Sequence, residues 1–190
     1  MGIPQSDPTR AIQRKKHLLL RKRSLRKLIA ALACTATLTV IALGFVFGIA
    51  VVKGNSMCPA IRTNDFVIFN RTGSYARGDV ILLRRDGQYA NDHIKRIVGL
   101  PGDTVDFDEG GMLINGKPLD EPYTIGLTSP KSGIEYPIAL KDNEYFVLGD
   151  NRENSLDSRN YGVIPKNHIT GKACANFRVY GKQTQGGNEA

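Results

Sequence analysis

Charge is absent from Leu28 to Val52, a run of twenty-five residues without one Asp, Glu, Lys or Arg. As a helix rising ~1.5 Å per residue it would be roughly 37 Å long, against a hydrocarbon core of ~30 Å, so it is expected to span a membrane with some tilt. Thr35, Thr37 and Thr39 do not oppose that reading, because hydroxyls inside a helix bond back to the preceding turn. Acidic residues are almost missing from residues 1–27, which carry nine Lys and Arg against Asp7 alone. Cysteine is scarce: Cys34 lies in the apolar run, and Cys58 and Cys174 are too few for a disulfide framework and are expected to be free thiols. No Cys-x-x-Cys occurs, and His17, His93 and His168 are too scattered to imply a metal site. There is no internal repeat, and no segment after residue 53 keeps helical periodicity for three turns, which excludes a helical domain. The roughly 138 residues beyond the run suffice for one modest domain and leave no room for a second large one.

The net charge of +8 belongs to the tail, since residues 28–190 hold seventeen charges of each sign. Arg10, Arg14, Lys15, Lys16, Arg21, Lys22, Arg23, Arg26 and Lys27 flank one end of the apolar run, the pattern of a cytoplasmic anchor flank rather than a nucleic-acid surface. The expected layout is a basic cytoplasmic tail (1–27), a transmembrane helix (28–52), an extracytoplasmic β-rich domain (53–182) and a disordered tail (183–190), on a single-pass protein of the cell membrane. Gly48-Ile49-Ala50 offers a cleavage-site-like arrangement of small residues, but the apolar part is far longer than the ~7–15 residues of a signal peptide, so retention is expected.

Beyond Val52 the apolar residues come in short runs. Phe66–Phe69, Val80–Leu83, Met112–Ile114 and Tyr145–Leu148 read as strands, and Asn115-Gly116 as a two-residue hairpin turn. The fold class is therefore mainly antiparallel β, a sandwich or partly closed barrel, with a long surface excursion between Pro118 and Pro137.

Ser56 sits in a Ser-Met-Cys-Pro turn four residues past the apolar run, and Lys95 lies among Ile94, Ile97, Val98 and Leu100. A serine hydroxyl needs a base to become a nucleophile. Lysine can serve only when neutral, and at its ordinary pKa of ~10.4 about one in 2,500 is neutral at pH 7. Burial against apolar atoms can lower that value. His93 shares a strand face with Lys95, so spacing alone leaves both as candidate bases, while Arg96 should point to the opposite face. A plain turn serine and a snorkelling lysine are the alternatives without chemistry. Cys58 is a rival nucleophile by type only.

Gly54-Asn55-Ser56-Met57-Cys58-Pro59, Arg77-Gly78-Asp79-Val80, the stretch from Lys95 to Asp103 (Lys-Arg-Ile-Val-Gly-Leu-Pro-Gly-Asp) and the stretch from Gly149 to Gly162 (Gly-Asp-Asn-Arg-Glu-Asn-Ser-Leu-Asp-Ser-Arg-Asn-Tyr-Gly) resemble, in order, the motif boxes of bacterial type I signal peptidases. The resemblance covers about residues 28–180. It implies a mainly β catalytic domain of the kind shared with LexA-like self-cleaving repressors, and a serine endopeptidase with a Ser-Lys dyad and no metal or cofactor. Ser56 matches the nucleophile, Lys95 the general base, Ser155 a serine that orients the lysine amine, and Asp157 with Arg159 a bracing charge pair. Met57 matches a residue that contacts substrate and lipid. Asp150, Asn151, Arg152 and Asn154 are read as structural.

Two departures from the Gram-negative pattern stand out. Gly54 replaces a serine that adds an oxyanion donor, which shifts that role to backbone N–H groups, chiefly that of Ser56. Forty-five residues between Asp103 and Gly149 leave no space for the large inserted domain, so the compact Gram-positive type is the nearer likeness. The implied partners are preprotein signal peptides and membrane lipid, without nucleic acid. A preprotein segment would lie extended beside Asp92-His93-Ile94 and the strand before Ser56, with Val52, Ile61 and Ile94 lining two pockets that admit only small residues, giving an Ala-x-Ala rule. The rival functions are a dedicated processing protease for pilin or conjugation substrates, a catalytically silent binding protein on the same fold, and a self-cleaving transcriptional regulator.

Overall fold

The computed structural model describes residues 8–84, 93–109 and 111–178. Residues 183–190 and Asp92, on which expectations were placed, lie outside that set, as do the last residues of the expected 53–182 domain. The chain divides into two compact units between Phe45 and Val46.

The first unit is helical. Helix α1 spans Pro8–Val46, and its part long and apolar enough to cross a membrane is Leu20–Val46. The three threonine hydroxyls bond back to the carbonyls of Leu32, Ala33 and Thr35, each at 2.9 Å. The helix expected over residues 28–52 is too long by its last six residues. Phe47–Val51 form strand β1, paired in register with β2 (Phe66–Asn70) from Phe47↔Asn70 to Val51↔Phe66. An apolar run has the same composition whether it becomes helix or strand. Here Val46, Ile49, Val51 and Val52 favour extended backbone, and Gly44 and Gly48 weaken a helix. Gly48 is also required by space, since a Cβ there would overlap the Phe69 ring stacked over it. The uncharged helical part, Leu28 to Val46, is about 28 Å long at ~1.5 Å per residue, close to a hydrocarbon core without much tilt. Gly48-Ile49-Ala50 is thus part of a sheet, and a cut there would strip β1 from its partner.

The second unit is built from antiparallel strands: β3 (Val80–Leu83), β4 (His93–Gly99), β5 (Thr104–Asp108), β6 (Gly111–Ile114), β7 (Lys117–Pro118), β8 (Ile138–Ala139), β9 (Glu144–Leu148), β10 (Ile164–Pro165) and β11 (Ile169–Phe177), with a one-turn helix α2 (Ser158–Tyr161). Seven strands form one sheet in the order β1-β2-β11-β3-β4-β9-β10, and four form a second in the order β7-β6-β5-β8. Asn115 and Gly116 turn the β6–β7 hairpin with φ of 52° and 74°, the double positive φ that a two-residue turn requires. Val98, Phe146 and Leu148 of the large sheet pack against Val105, Met112, Ile114 and Leu140 of the small sheet and its flank. A separate cluster of Val52, Met57, Ile61, Val67, Phe69 and Leu82 lies beneath the turn that carries Ser56.

The excursion from Leu119 to Pro137 contains no strand, but it is tied down at named points. Ile125 bonds through its backbone to Asp150 and Arg152, at 2.8 and 2.9 Å. Glu121 accepts two bonds from the Arg152 guanidinium, at 2.6 and 2.5 Å, and Lys131 Nζ donates to the Ser155 carbonyl at 2.7 Å. The excursion therefore grips the loop from Gly149 to Asp157 rather than only crossing the sheet.

Candidate active site

Three segments converge. Ser56 lies in a tight turn in which Gly54 takes φ of 95°, Cys58 N–H donates to Asn55 O and Ile61 N–H donates to Met57 O. Lys95 lies on β4 opposite Ile81 of β3. The Gly149–Asp157 loop fixes the turn by a bond from Asn151 N–H to the Ser56 carbonyl at 2.9 Å. Lys95 Nζ stands 2.9 Å from Ser56 Oγ and donates to the Ile94 carbonyl at 3.0 Å.

Lys95 is 2% exposed. Burial strips water from its ammonium and lowers its pKa from 10.5 to about 8, although the Asp157 and Asp150 carboxylates oppose the shift. At pH 7 such an amine is neutral in about one molecule in ten rather than one in thousands. A neutral amine at this distance can take the proton of the Ser56 hydroxyl. The Ser56 amide makes no hydrogen bond among the described residues and is free to face an oxyanion.

Behind the lysine lies the second charge system. Asp157 accepts two bonds from the Arg159 guanidinium, both at 2.9 Å, and the pair is 0% and 2% exposed at the side chains. Asp157 also caps α2 and accepts the Gly149 amide at 3.1 Å. Burial pushes the Asp157 carboxyl up, but the Arg159 bonds and charge outweigh it, with smaller help from Ser155 and the Gly149 amide, and the carboxyl stays below its ordinary value. The hydroxyl of Ser155 is buried and completes no hydrogen bond among the described residues, although it lies near enough to Asp157 to favour that carboxylate. The bond from Ser155 to the lysine amine is therefore not made in this structure; the amine is instead directed to Ser56 and to the Ile94 carbonyl.

Gly149 joins the two systems. A Cβ at this position would overlap the Ser155 hydroxyl and approach the Ser56 carbonyl to 2.6 Å, so the loop reaches the turn only with glycine here. Gly149→Ala is expected to slow any reaction at the Ser56 hydroxyl at least tenfold while leaving the far-ultraviolet dichroism unchanged, because the overlap displaces the turn and not the sheets.

Beside Ser56 is a groove of about 460 Å³, lined on one side by Ile49, Ala50, Val51, Val52, Lys53 and Gly54 and on the other by Leu82, His93 and Ile94, with Met57 among its walls. Val52 and Ile94 line it, but Ile61 does not: it is 6% exposed and packs beneath, in the cluster of Val52, Met57 and Leu82. Met57 is 1% exposed, so it can meet a substrate in the groove but not lipid. The strand expected on this side before Ser56 is β1, and its Ile49–Val51 wall falls within the run expected to be helix. Nothing in the sequence singles out Leu82, which reaches the groove through its pairing with Ile94 on the neighbouring strand, a register that no local signal gives. His93 lines the same groove, whereas the contact to the Ser56 hydroxyl is made by Lys95. Cys34, Cys58 and Cys174 are free thiols. Among the described residues no cluster of His, Cys, Asp or Glu could hold a metal ion.

Asp150 and Arg152 of the loop are buried partners, whereas Asn151 is half-buried and Asn154 exposed. Asp150 is 0% exposed and accepts two bonds from Arg96, at 2.8 and 2.6 Å, and Arg152 is held by Glu121 and Thr128 and donates to the Gly149 carbonyl.

Residues 25–178 match the family described as signal peptidase, peptidase S26. Signal peptidase I S of Bacillus subtilis (strain 168) is 37% identical over 164 residues, covering 80% of this chain and 88% of that protein. Signal peptidase I of Bacillus licheniformis is 34% identical over 166 residues, covering 80% and 87%. The crystal structure of a signal peptidase I from Enterococcus faecalis V583 is 27% identical with a TM-score of 0.42, over 53% of this chain and 97% of that one. By the family match over most of its length and its likeness to the two Bacillus enzymes, the chain belongs to the signal peptidase family, peptidase S26, and is a serine endopeptidase of the signal peptidase I type.

Proposed function

We propose that the protein removes N-terminal signal peptides from exported preproteins after an Ala-x-Ala-like motif, using Ser56 as nucleophile and Lys95 as general base, while anchored by a single membrane span. The observation that carries this reading is the 2.9 Å approach of a dry lysine amine to the serine hydroxyl. Ser56 Oγ attacks the scissile carbonyl carbon as its proton passes to Lys95 Nζ. The oxyanion is met by the Ser56 N–H. Lys95 then returns the proton to the leaving amine, the C–N bond breaks, and the acyl group remains on Ser56. The mature chain leaves with that amine; a water then gives its proton to Lys95 and attacks the ester, and Lys95 passes the proton to Ser56 Oγ as the ester C–O bond breaks, which releases the signal peptide as a carboxylate and restores the hydroxyl. Asp157 and Arg159 brace the loop, in which the buried Ser155 hydroxyl lies beside Asp157 and Gly149.

The groove accounts for small residues at the cleavage site. Its floor is made by Val52, Met57, Leu82 and Ile94, which pack against one another, so a bulky side chain would have to displace a filled core. An extended substrate backbone fits between β1 and the start of β4, as an added strand. Among the described residues β1 ends the large sheet, which leaves its outer edge available for such pairing.

Lipid contact is supported by the exposed face of β1, β2 and β11, whose Ile49 and Val51 also border the groove. Paired residues share a face of the sheet, and one face carries Val51, Phe66 and Phe177 in one row and Ile49, Ile68 and Ala175 in the next. Ile49 is 70% exposed and Phe177 54%. Exposed apolar area of this kind on the strand that follows the membrane-crossing helix suits the interface of a bilayer. Residues 1–27 then lie in the cytoplasm by their basic charge, α1 crosses, and the β domain works outside.

Cleavage of an Ala-x-Ala preprotein by the full-length enzyme in detergent tests the assignment. Ser56→Ala and Lys95→Ala are expected to lose at least a thousandfold in rate. Cleavage by the wild type should rise with pH through about 8, the lowered lysine value. His93→Ala should keep that alkaline rise; a profile governed instead by a group near 6.5, and lost in His93→Ala, would make the histidine the base.

A further inference from the structure

We propose that Arg96 is a positioning residue of the reaction: by neutralising the buried carboxylate of Asp150 it allows the neighbouring Lys95 to lose its proton. The inference rests on the Ser56–Lys95 reading. Its basis is the alternation of β4, which turns Lys95 toward Ser56 and Arg96 toward the other side. There the Arg96 guanidinium closes on Asp150 with bonds of 2.8 and 2.6 Å and donates to the Gly78 carbonyl at 2.7 Å. The Tyr123 ring lies 4.1 Å from it and completes the enclosure.

Asp150 is fully buried and follows Gly149, the residue packed against the Ser56 carbonyl. A carboxylate in that position favours the ammonium form of Lys95, which defeats a base. Paired with a guanidinium it acts on the amine as a dipole, and its field falls off faster. Among the described residues the charged and titratable groups around the two are few. Lys95 faces Asp157 and Asp150, with His93 two residues away on its own strand lining the same groove. Arg96 faces Asp150, Tyr123 and Glu121. The Tyr123 hydroxyl donates to Glu121 at 3.2 Å, and Glu121 is itself paired with Arg152. Asp157 is answered by Arg159 and Asp150 by Arg96, so each carboxylate that opposes deprotonation of the lysine has its own arginine.

The test is kcat/KM against pH for the full-length enzyme in detergent. In Arg96→Gln the rise of activity should move to higher pH by on the order of one unit, with much of the rate regained on the alkaline side. Asp150→Asn should move it to lower pH, and the double variant should return it close to the wild type. Equal loss at every pH, with the midpoint unmoved in both single variants, would overturn the inference and leave Arg96 a purely structural residue. If Arg96→Gln does not fold, Asp150→Asn and the double variant decide by the same midpoints, since neither leaves a buried carboxylate unpaired. A wild-type rise that follows His93 instead of Lys95 defeats the dyad reading, which is a different outcome from an unmoved lysine midpoint.

Discussion

Lys95→Met is expected to abolish preprotein cleavage and yet to make the folded domain more stable at pH 7. The native lysine pKa lies near 8 against 10.5 for the free side chain. Each unit is worth about 1.4 kcal/mol, so holding the buried ammonium costs about 3 kcal/mol at neutral pH. Removing the amine also removes its hydrogen bonds, worth about 1 kcal/mol, and methionine fills nearly the same volume. The net gain is about 2 kcal/mol. Its pH dependence has a definite sign. Above 10.5 the lysine is neutral in both folded and unfolded chains and imposes no penalty. As pH falls from 10.5 to 8 the unfolded chain takes up the proton first, so the penalty grows, and below 8 it is complete. Urea unfolding should therefore show Lys95→Met more stable than wild type at pH 7, the advantage shrinking as pH rises past 8 and reversing to about 1 kcal/mol, the hydrogen-bond loss alone, above pH 10.5. A variant less stable than wild type at pH 7, or a difference independent of pH, would contradict a desolvated lysine.

Arg159→Met should act in the opposite direction on stability and in the same direction on activity. Asp157 would remain buried without its partner, and breaking a buried pair by removing one member costs about 3–5 kcal/mol. The unmasked carboxylate would also favour the charged form of Lys95, so cleavage at pH 7 should fall more than tenfold even in the fraction that stays folded. Asp157→Asn should cost less, because an asparagine can still cap α2 and accept the Gly149 amide. Since the Asp157 carboxyl is held below its ordinary value of 3.8, its contribution is complete above that pH. It is lost as the solution is acidified through the lower native value. Acid unfolding of the wild type should thus be steeper below pH 4 than that of Asp157→Asn. Equal acid slopes would show that the pair carries no linkage.

Some of this site was legible before any coordinates. Short β-branched and aromatic runs between turn formers mark β2, β3, β6 and β9, and Asn115-Gly116 marks its hairpin, because both signals depend on backbone preferences within a few residues. The apolar helix, its basic flank and the back-bonded threonines are local properties of the same kind. The apolar neighbours of Lys95 indicate a setting in which an amine can lose its charge, but they do not separate Lys95 from His93. Asp157 and Arg159 look by composition like any polar turn, and only burial makes them a bracing pair.

What the sequence by itself determined is the set of local conformations and the presence of a serine, a lysine and a membrane-length apolar segment in a definite order. The tertiary structure decided the rest. Leu28 to Val52 divides into helix and strand because β2 offers hydrogen bonds to residues 47–51, a partner invisible to any local window. Ser56 and Lys95 meet across thirty-nine positions because β4 and the Gly149–Asp157 loop close around the turn. In the proposed reaction the lysine can serve as base because packing, not composition, excludes water from its amine and gives each nearby carboxylate an arginine. Burial and long-range pairing are properties of the folded whole, and the chemistry of this enzyme depends on both.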